Sequence, residues 1–248
     1  LIYIFFLISS QCFAGVKYNF APVDHQFDSI AQALLIKEFT SAPTPDASQA
    51  LADMERIASR TNNPQLRARL VFCQTRLGQL QANPQEAIKT LNKAKTLTQE
   101  DFDYDRAFIN YQLAGNHQRL GNYFTSYQLL QQAIPVFAKY GDDYSLGNSY
   151  LLLALVYHNI GEYDSALEAT AKARKHYSEA RFPLNRVYFM EGLIVHDPPK
   201  ETALYKLSLA EGVHEPAMSI QAILNLADIY ISTNKPDSAT LFLRNAET

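Results

Sequence analysis

Leu153-Ala154-Leu155-Val156-Tyr157, three residues, then Gly161-Glu162-Tyr163-Asp164-Ser165-Ala166: this stretch decides the fold. A leucine beside a small residue, an aromatic three further on, a glycine and a second small residue spell helix, tight turn, helix. Two more stretches share the layout. Leu113-Ala114-Gly115-Asn116-His117 leads to Gly121-Asn122-Tyr123-Phe124-Thr125-Ser126, and Leu226-Ala227-Asp228-Ile229-Tyr230 leads to Asn234-Lys235-Pro236-Asp237-Ser238-Ala239. The closing small residue belongs to a series, Ala50, Ala87, Ser126, Ala166, Ala203 and Ala239, spaced by 37, 39, 40, 37 and 36 residues. Four positions after each sits Met54, Leu91, Leu130, Thr170, Leu207 and Leu243. Seven positions after each sits Ile57, Ala94, Ala133, Ala173, Ala210 and Ala246. Such a period marks a stacked array of helix pairs.

Each element of the unit has a physical cause. The small residues let two helices approach closely, and a bulky side chain at Ala166 would overpack the contact. Gly121, Gly161 and Asn234 suit the left-handed backbone that ends a helix. Asp164 and Ser165, or Asp237 and Ser238, are expected to cap the helix that follows. Spacings of four and seven place Ala87, Leu91 and Ala94 on one helical face.

These stretches resemble the tetratricopeptide repeat. The resemblance implies an all-α fold, a right-handed superhelical solenoid of about six antiparallel helix pairs. The middle units are the regular ones. In the unit of Ala87, Asn83-Pro84-Gln85-Glu86 offers a cap, a proline and an acid at a helix start, and Thr61-Asn62-Asn63-Pro64 offers a similar one. The unit of Ala203 has Met190 and Ile194 at the leucine and aromatic positions, and Gly192 beside Glu191 suggests a one-residue slip. The first unit has a weak leading helix, about Asp24 to Phe39, before the linker Ser41–Pro45. Pro135 is expected to kink or stop its helix.

The chain of 248 residues is 47% hydrophobic, enough for a continuous core. Net charge is −3 and the pI about 6.1, so no basic stripe marks a nucleic-acid binder. The run Leu1–Ile8, followed by Ser9-Ser10-Gln11-Cys12-Phe13-Ala14, has the apolar core and small-residue cleavage region of a signal peptide. It is too short for a membrane span, which needs roughly 20 apolar residues. Gln11 and Ser9 depart from the context of a lipidated cysteine, so membrane association is expected only through sequence outside the chain or, as the lesser alternative, through lipidated Cys12. Residues 1–14 are therefore assigned as a signal peptide truncated at its start, and residues 15–248 as the repeat array. The array is expected to continue past Thr248, because no polar capping helix follows Ala246. Loss of Cys12 would leave Cys73, in the apolar stretch Leu70-Val71-Phe72-Cys73, as a buried and inert thiol.

Catalytic and cofactor signatures fail one by one. Asp101-Phe102-Asp103-Tyr104-Asp105 has the alternation of a calcium loop, but Arg106 and Gln112 stand where glycine and glutamate are needed. These acids instead suit a helix N-terminus. The six histidines show no paired metal-ligand spacing. No nucleophile elbow or phosphate-cradling loop is present. The expectation is no catalytic residue, no metal, no cofactor and no enzyme. Tyr157, Tyr230 and Phe124 are assigned to the core.

In the tetratricopeptide family, ligands lie against the first helix of each pair. The second, fifth and ninth positions, counted from nineteen before the small residue, carry over here as Phe108, Tyr111 and Gly115, then Asn148, Leu151 and Leu155, then Gln221, Leu224 and Asp228. His158 lies one turn beyond Leu155. These residues bring no cation, so a terminal carboxylate is not the expected ligand. An extended or helical segment with apolar side chains fits better. The alternative is that this face packs against another part of the same protein. The resemblance implies a non-catalytic scaffold for protein or peptide, exported to the periplasm as the sensing region of a larger bacterial regulator. Two alternatives stand: a free-standing exported carrier of an envelope complex, and a cytoplasmic peptide-sensing regulator.

Overall fold

The computed structural model describes residues 18–36, 46–76, 83–211 and 216–245. The leader 1–14 with Cys12, the linker 41–45 and Ala246 lie outside them. Twelve α-helices and no strand occur among the described residues: α1 His25–Ile36, α2 Ala47–Thr61, α3 Pro64–Arg76, α4 Pro84–Leu97, α5 Asp103–Arg119, α6 Tyr123–Lys139, α7 Asp143–Asn159, α8 Tyr163–Glu179, α9 Asn185–Ile194, α10 Pro198–Glu211, α11 Pro216–Ser232 and α12 Pro236–Asn245. The chain divides into two compact units, Leu1–Ser149 and Tyr150–Thr248, with the boundary inside α7.

Consecutive helices pack as hairpins. In the first unit α1 packs on α2, α3 on α4 and α5 on α6; in the second, α9 packs on α10 and α11 on α12. First helices also neighbour one another, α1 with α3 and α3 with α5 in one unit, α9 with α11 in the other. First helices therefore line a common face within each unit.

One turn recurs through the array. At Gly161 the chain takes φ +82°, Gly161 N–H donates to the His158 carbonyl at 3.0 Å, and Glu162 N–H donates to the Tyr157 carbonyl at 2.9 Å. This closing loop satisfies the last carbonyls of α7. The same pair of bonds ends α5, α6, α8 and α11, at Gly121, Gly141, Arg181 and Asn234. Arg181 is the costly member, because a side chain in the left-handed region crowds its own backbone.

In α2, α4, α6, α8 and α12 the small residue sits four places into the helix, where its N–H bonds the carbonyl of the residue preceding the helix. Ala50, Ala87, Ser126, Ala166 and Ala239 are buried there. Ser126 also donates its hydroxyl to the Ala114 carbonyl of α5 at 2.8 Å, so its polar atom is satisfied inside the contact. Met54, Leu91, Leu130 and Thr170 are fully buried one turn on, as are Ala94, Ala133 and Ala173 two turns on.

The fifth pair keeps this frame with other residues. Ala203, Leu207 and Ala210 are exposed, and Glu201, Tyr205 and Ser208 hold the three positions instead. Tyr205 and Ser208 are buried. Bulk at Tyr205 is accommodated by Gly192 of α9: a Cβ there would lie 2.7 Å from Tyr205 Cε1. Close approach is retained, with the small residue moved to the partner helix.

Other expectations are corrected. Asp164, Ser165 and Asp237 lie inside the first turns of α8 and α12 rather than before them, and α8 begins without a side-chain cap bond. Asn83 does cap α4, accepting from Gln85 and Glu86 N–H at 3.1 and 3.2 Å, and Asn63 accepts from Gln65 N–H at 2.9 Å. Pro135 does not stop α6, which runs four residues further. The carbonyl it frees belongs to exposed Gln131, where water can solvate it. Phe124 is 73% exposed: it falls two residues before Ser126 and turns away from the contact. Among the described residues no helix is long and apolar enough to cross a membrane.

Candidate functional site

In the first unit the face of α3, α5 and the start of α7 is already covered. Residues 18–23 run across it without helical structure. The Tyr18 ring meets Phe108 edge-on at 5.3 Å and Tyr144 at 6.4 Å. Phe20 stacks on Phe72 at 5.1 Å and meets Tyr104 and Phe108 at 5.1 and 5.5 Å. Ala21-Pro22 supplies the extended backbone, since proline excludes helix from the residue before it. These contacts bury Tyr18 and Phe108, the latter 3% exposed.

A buried guanidinium fastens this segment. Arg69 of α3 holds Asp105 of α5 in a fork, Nε to Oδ1 at 2.6 Å and Nη2 to Oδ2 at 3.1 Å. Nη1 donates to Asp28 of α1 at 2.7 Å, and Nη2 donates to the Ala21 carbonyl at 2.6 Å. Its Cζ lies 5.2 Å from the Phe20 ring centre and 5.7 Å from that of Phe102. Gln65 adds a bond to Asp105 Oδ1 at 2.8 Å. Asp28 Oδ2 accepts from Val23 and Asp24 N–H at 2.8 and 3.1 Å, so one carboxylate serves both the cation and the backbone at the end of residues 18–23, the strap. Burial pushes the Asp105 carboxyl up, while Arg69 pulls it down. Asp142 caps α7 through Ser145 N–H at 3.0 Å and accepts the Tyr104 hydroxyl; burial raises both groups.

The expected ligand positions therefore differ in availability. Phe108 lies beneath the strap. Asn148 is buried, its amide donating to the Tyr144 carbonyl at 3.0 Å. Tyr111 and Gly115 are half-buried, with the Tyr111 ring 6.5 Å from Phe108. In the second unit Leu151, Leu155 and His158 are half-buried along one face of α7, and Gln221, Leu224 and Asp228 are exposed along one face of α11. These two sets stand on separate helices, α11 packing on α9.

The first-unit face carries one cation, Arg69, outside the ligand positions read from the three regular units. Arg69 belongs to the degenerate unit of Ala87, whose weak match to the repeat pattern hides its place on this face. Applied at Ala87, the count from the small residue returns Arg69 and Phe72 as second and fifth positions, and both touch the strap. Tyr104 and Tyr144 lie one turn before second positions, on the same faces. Near His158, Tyr163 lies at 5.8 Å and itself meets His196 at 5.0 Å. Burial, with a smaller contribution from His196, lowers the His158 pKa. Cys73 is buried as expected, and burial pushes its thiol far up, away from reactivity.

The tetratricopeptide repeat family model matches residues 105–180, which span α5 to α8. These helices are tetratricopeptide repeats. Two solved structures share the architecture. BtubC from P. vanneervenii aligns at TM-score 0.58 with 17% identity over 91% of this chain and 91% of that one. A Rap protein complexed with Competence and Sporulation Factor aligns at TM-score 0.70 with 15% identity over 91% of this chain. The chain spans 66% of that Rap protein, just under two thirds. No curated protein matches the sequence. At these identities the neighbours establish the repeat fold.

Proposed function

We propose that the chain is a non-catalytic scaffold that holds a protein or peptide on the first-helix faces of its second unit, through Leu151, Leu155 and His158 of α7 and Gln221, Leu224 and Asp228 of α11. The observation that carries this reading is Leu224: a large aliphatic side chain, 44% exposed, at a position where the repeat frame places ligand contacts. The repeat match and the Rap neighbour, solved with a bound factor, support a binding role. The Arg69 cluster of the first unit is spent on structure, since its guanidinium is paired with both Asp105 and Asp28.

Selection of displayed random peptides on the full chain tests the reading. An enriched peptide family should bind wild type and lose at least tenfold in affinity with Leu155→Asp or Leu224→Asp, while far-UV circular dichroism stays unchanged. No enrichment, or equal binding to both variants, refutes it. We further propose export and a sensing role in a larger bacterial regulator, supported by the apolar run before Ala14. N-terminal sequencing of protein from a periplasmic fraction should begin at Gly15; retention of the leader in the cytoplasm would overturn this part alone.

A further inference from the structure

The strap has the attributes of a bound peptide. It is extended, crosses first helices at the positions where the repeat frame expects ligand, inserts two aromatic rings two residues apart, and is gripped through its backbone. Tyr18 enters between Phe108 and Tyr144, and Phe20 enters among Phe72, Tyr104 and Phe108. Arg69 holds the Ala21 carbonyl, and Asp28 holds the Val23 amide. Peptides seated in a groove by main-chain bonds plus alternate side chains follow this pattern.

We propose that this face of the first unit is a seat for an extended segment of the type aromatic-x-aromatic-x-Pro, and that residues 18–23 are its resident occupant, closing it to other segments of that type until displaced. The occupant is part of the same chain: α1 begins two residues after Val23, so no long linker separates strap from seat. A tether that short gives an effective concentration of about millimolar or more. A free peptide with about micromolar affinity for the empty seat would then bind the intact chain about a thousandfold more weakly. Charge agrees with the assignment. The buried Arg69 cation is already paired with Asp105 and Asp28, which leaves no free cation there to call for an acidic segment, and residues 18–23 carry no charge. The seat uses Arg69, Phe72, Tyr104, Phe108 and Tyr144, none of which is among the residues proposed above to hold a partner, so its occupancy is tested independently of that reading.

The test uses the full chain and a fluorescein-labelled Tyr-Asn-Phe-Ala-Pro-Val peptide. The strap variant Tyr18→Ala/Phe20→Ala should bind it, and wild type should bind at least a hundredfold more weakly. A peptide with both aromatics replaced by alanine should bind neither. A folded strap variant that ignores the peptide, or wild type that binds it equally well, overturns the proposal. A second measurement avoids emptying the seat. The sequence has no tryptophan, so Phe20→Trp gives a single reporter. Its emission should be blue-shifted, shielded from iodide and unchanged on dilution. Exposed emission refutes a seated strap, and a shift on dilution assigns the strap to a second copy and refutes self-occupancy.

Discussion

Replacing Arg69 by methionine removes one half of the buried ion pair of the first unit. Arg69 and Asp105 side chains are each 1% exposed, and Asp28 is 23% exposed. The variant leaves Asp105 buried with Gln65 as its remaining side-chain partner, and frees the Ala21 carbonyl. Breaking one side of a buried ion pair costs about 3–5 kcal/mol, mainly because the other charge stays desolvated. Partly exposed Asp28 recovers water and adds little. A domain is stable by about 5–15 kcal/mol, so the loss is a large share of the total. Urea unfolding at neutral pH, followed by circular dichroism, measures it. Arg69→Met/Asp105→Leu should be less destabilised than Arg69→Met, since an apolar pair leaves no stranded charge. A loss under about 1 kcal/mol for Arg69→Met would refute the reasoning, because that is the value of an exposed pair.

Other consequences follow from the same geometry. Gly192→Ala should lose about 1–3 kcal/mol, although alanine favours helices, because its Cβ would press on the buried Tyr205 ring; unchanged stability would mean the ring is free to move. Gly161→Ala should lose about 1 kcal/mol through its positive φ alone, since nothing lies within 4 Å, and Arg181→Gly should gain a similar amount; thermal melts measure both. Burial holds His117 and His158 below 6.5, so the unfolded chain binds protons first: their contribution to stability is complete above about 6.5 and is lost as pH falls below it. Buried Asp105 and Asp142 act in the opposite sense in both chains, so the diagnostic is the difference: His117→Gln/His158→Gln should lose less Tm than wild type as pH falls below about 6.5, and an equal loss would contradict it. Cys73 should react with a thiol reagent only when urea unfolds the chain, with Cys73→Ser separating its signal from Cys12; fast labelling in buffer would contradict its burial.

Local chemistry made much of the fold legible. Gly121, Gly161 and Asn234 adopt the left-handed turn their residue types favour, and the asparagine caps at Asn63 and Asn83 form where a proline opens a helix. Misframing of the fifth pair came from Ala203 and Ala210, two alanines seven apart on the exposed side of α10. The contact there is made by a glycine opposite a tyrosine, and spacing within one helix does not reveal a small residue on its neighbour. The strap was illegible for a different reason. Phe108 reads as a ligand position by its place in the repeat, and its coverage depends on Tyr18, ninety residues earlier in the chain. Arg69 directly before the apolar run Leu70–Cys73 was the available signal. A cation there needs a buried partner, and Asp105 at the opposite helix start supplied it.

The most direct test of a first-helix face occupied by the chain's own segment is nuclear Overhauser spectroscopy on selectively labelled aromatic rings. Tyr18 should show ring-to-ring cross-peaks to Phe108 and Tyr144, and Phe20 to Phe72 and Tyr104, at the 5.1–6.4 Å centroid separations described. Tyr104 to Phe137, at 5.7 Å inside the same unit, serves as the internal reference. A spectrum with the reference peak and no strap peaks would contradict the account.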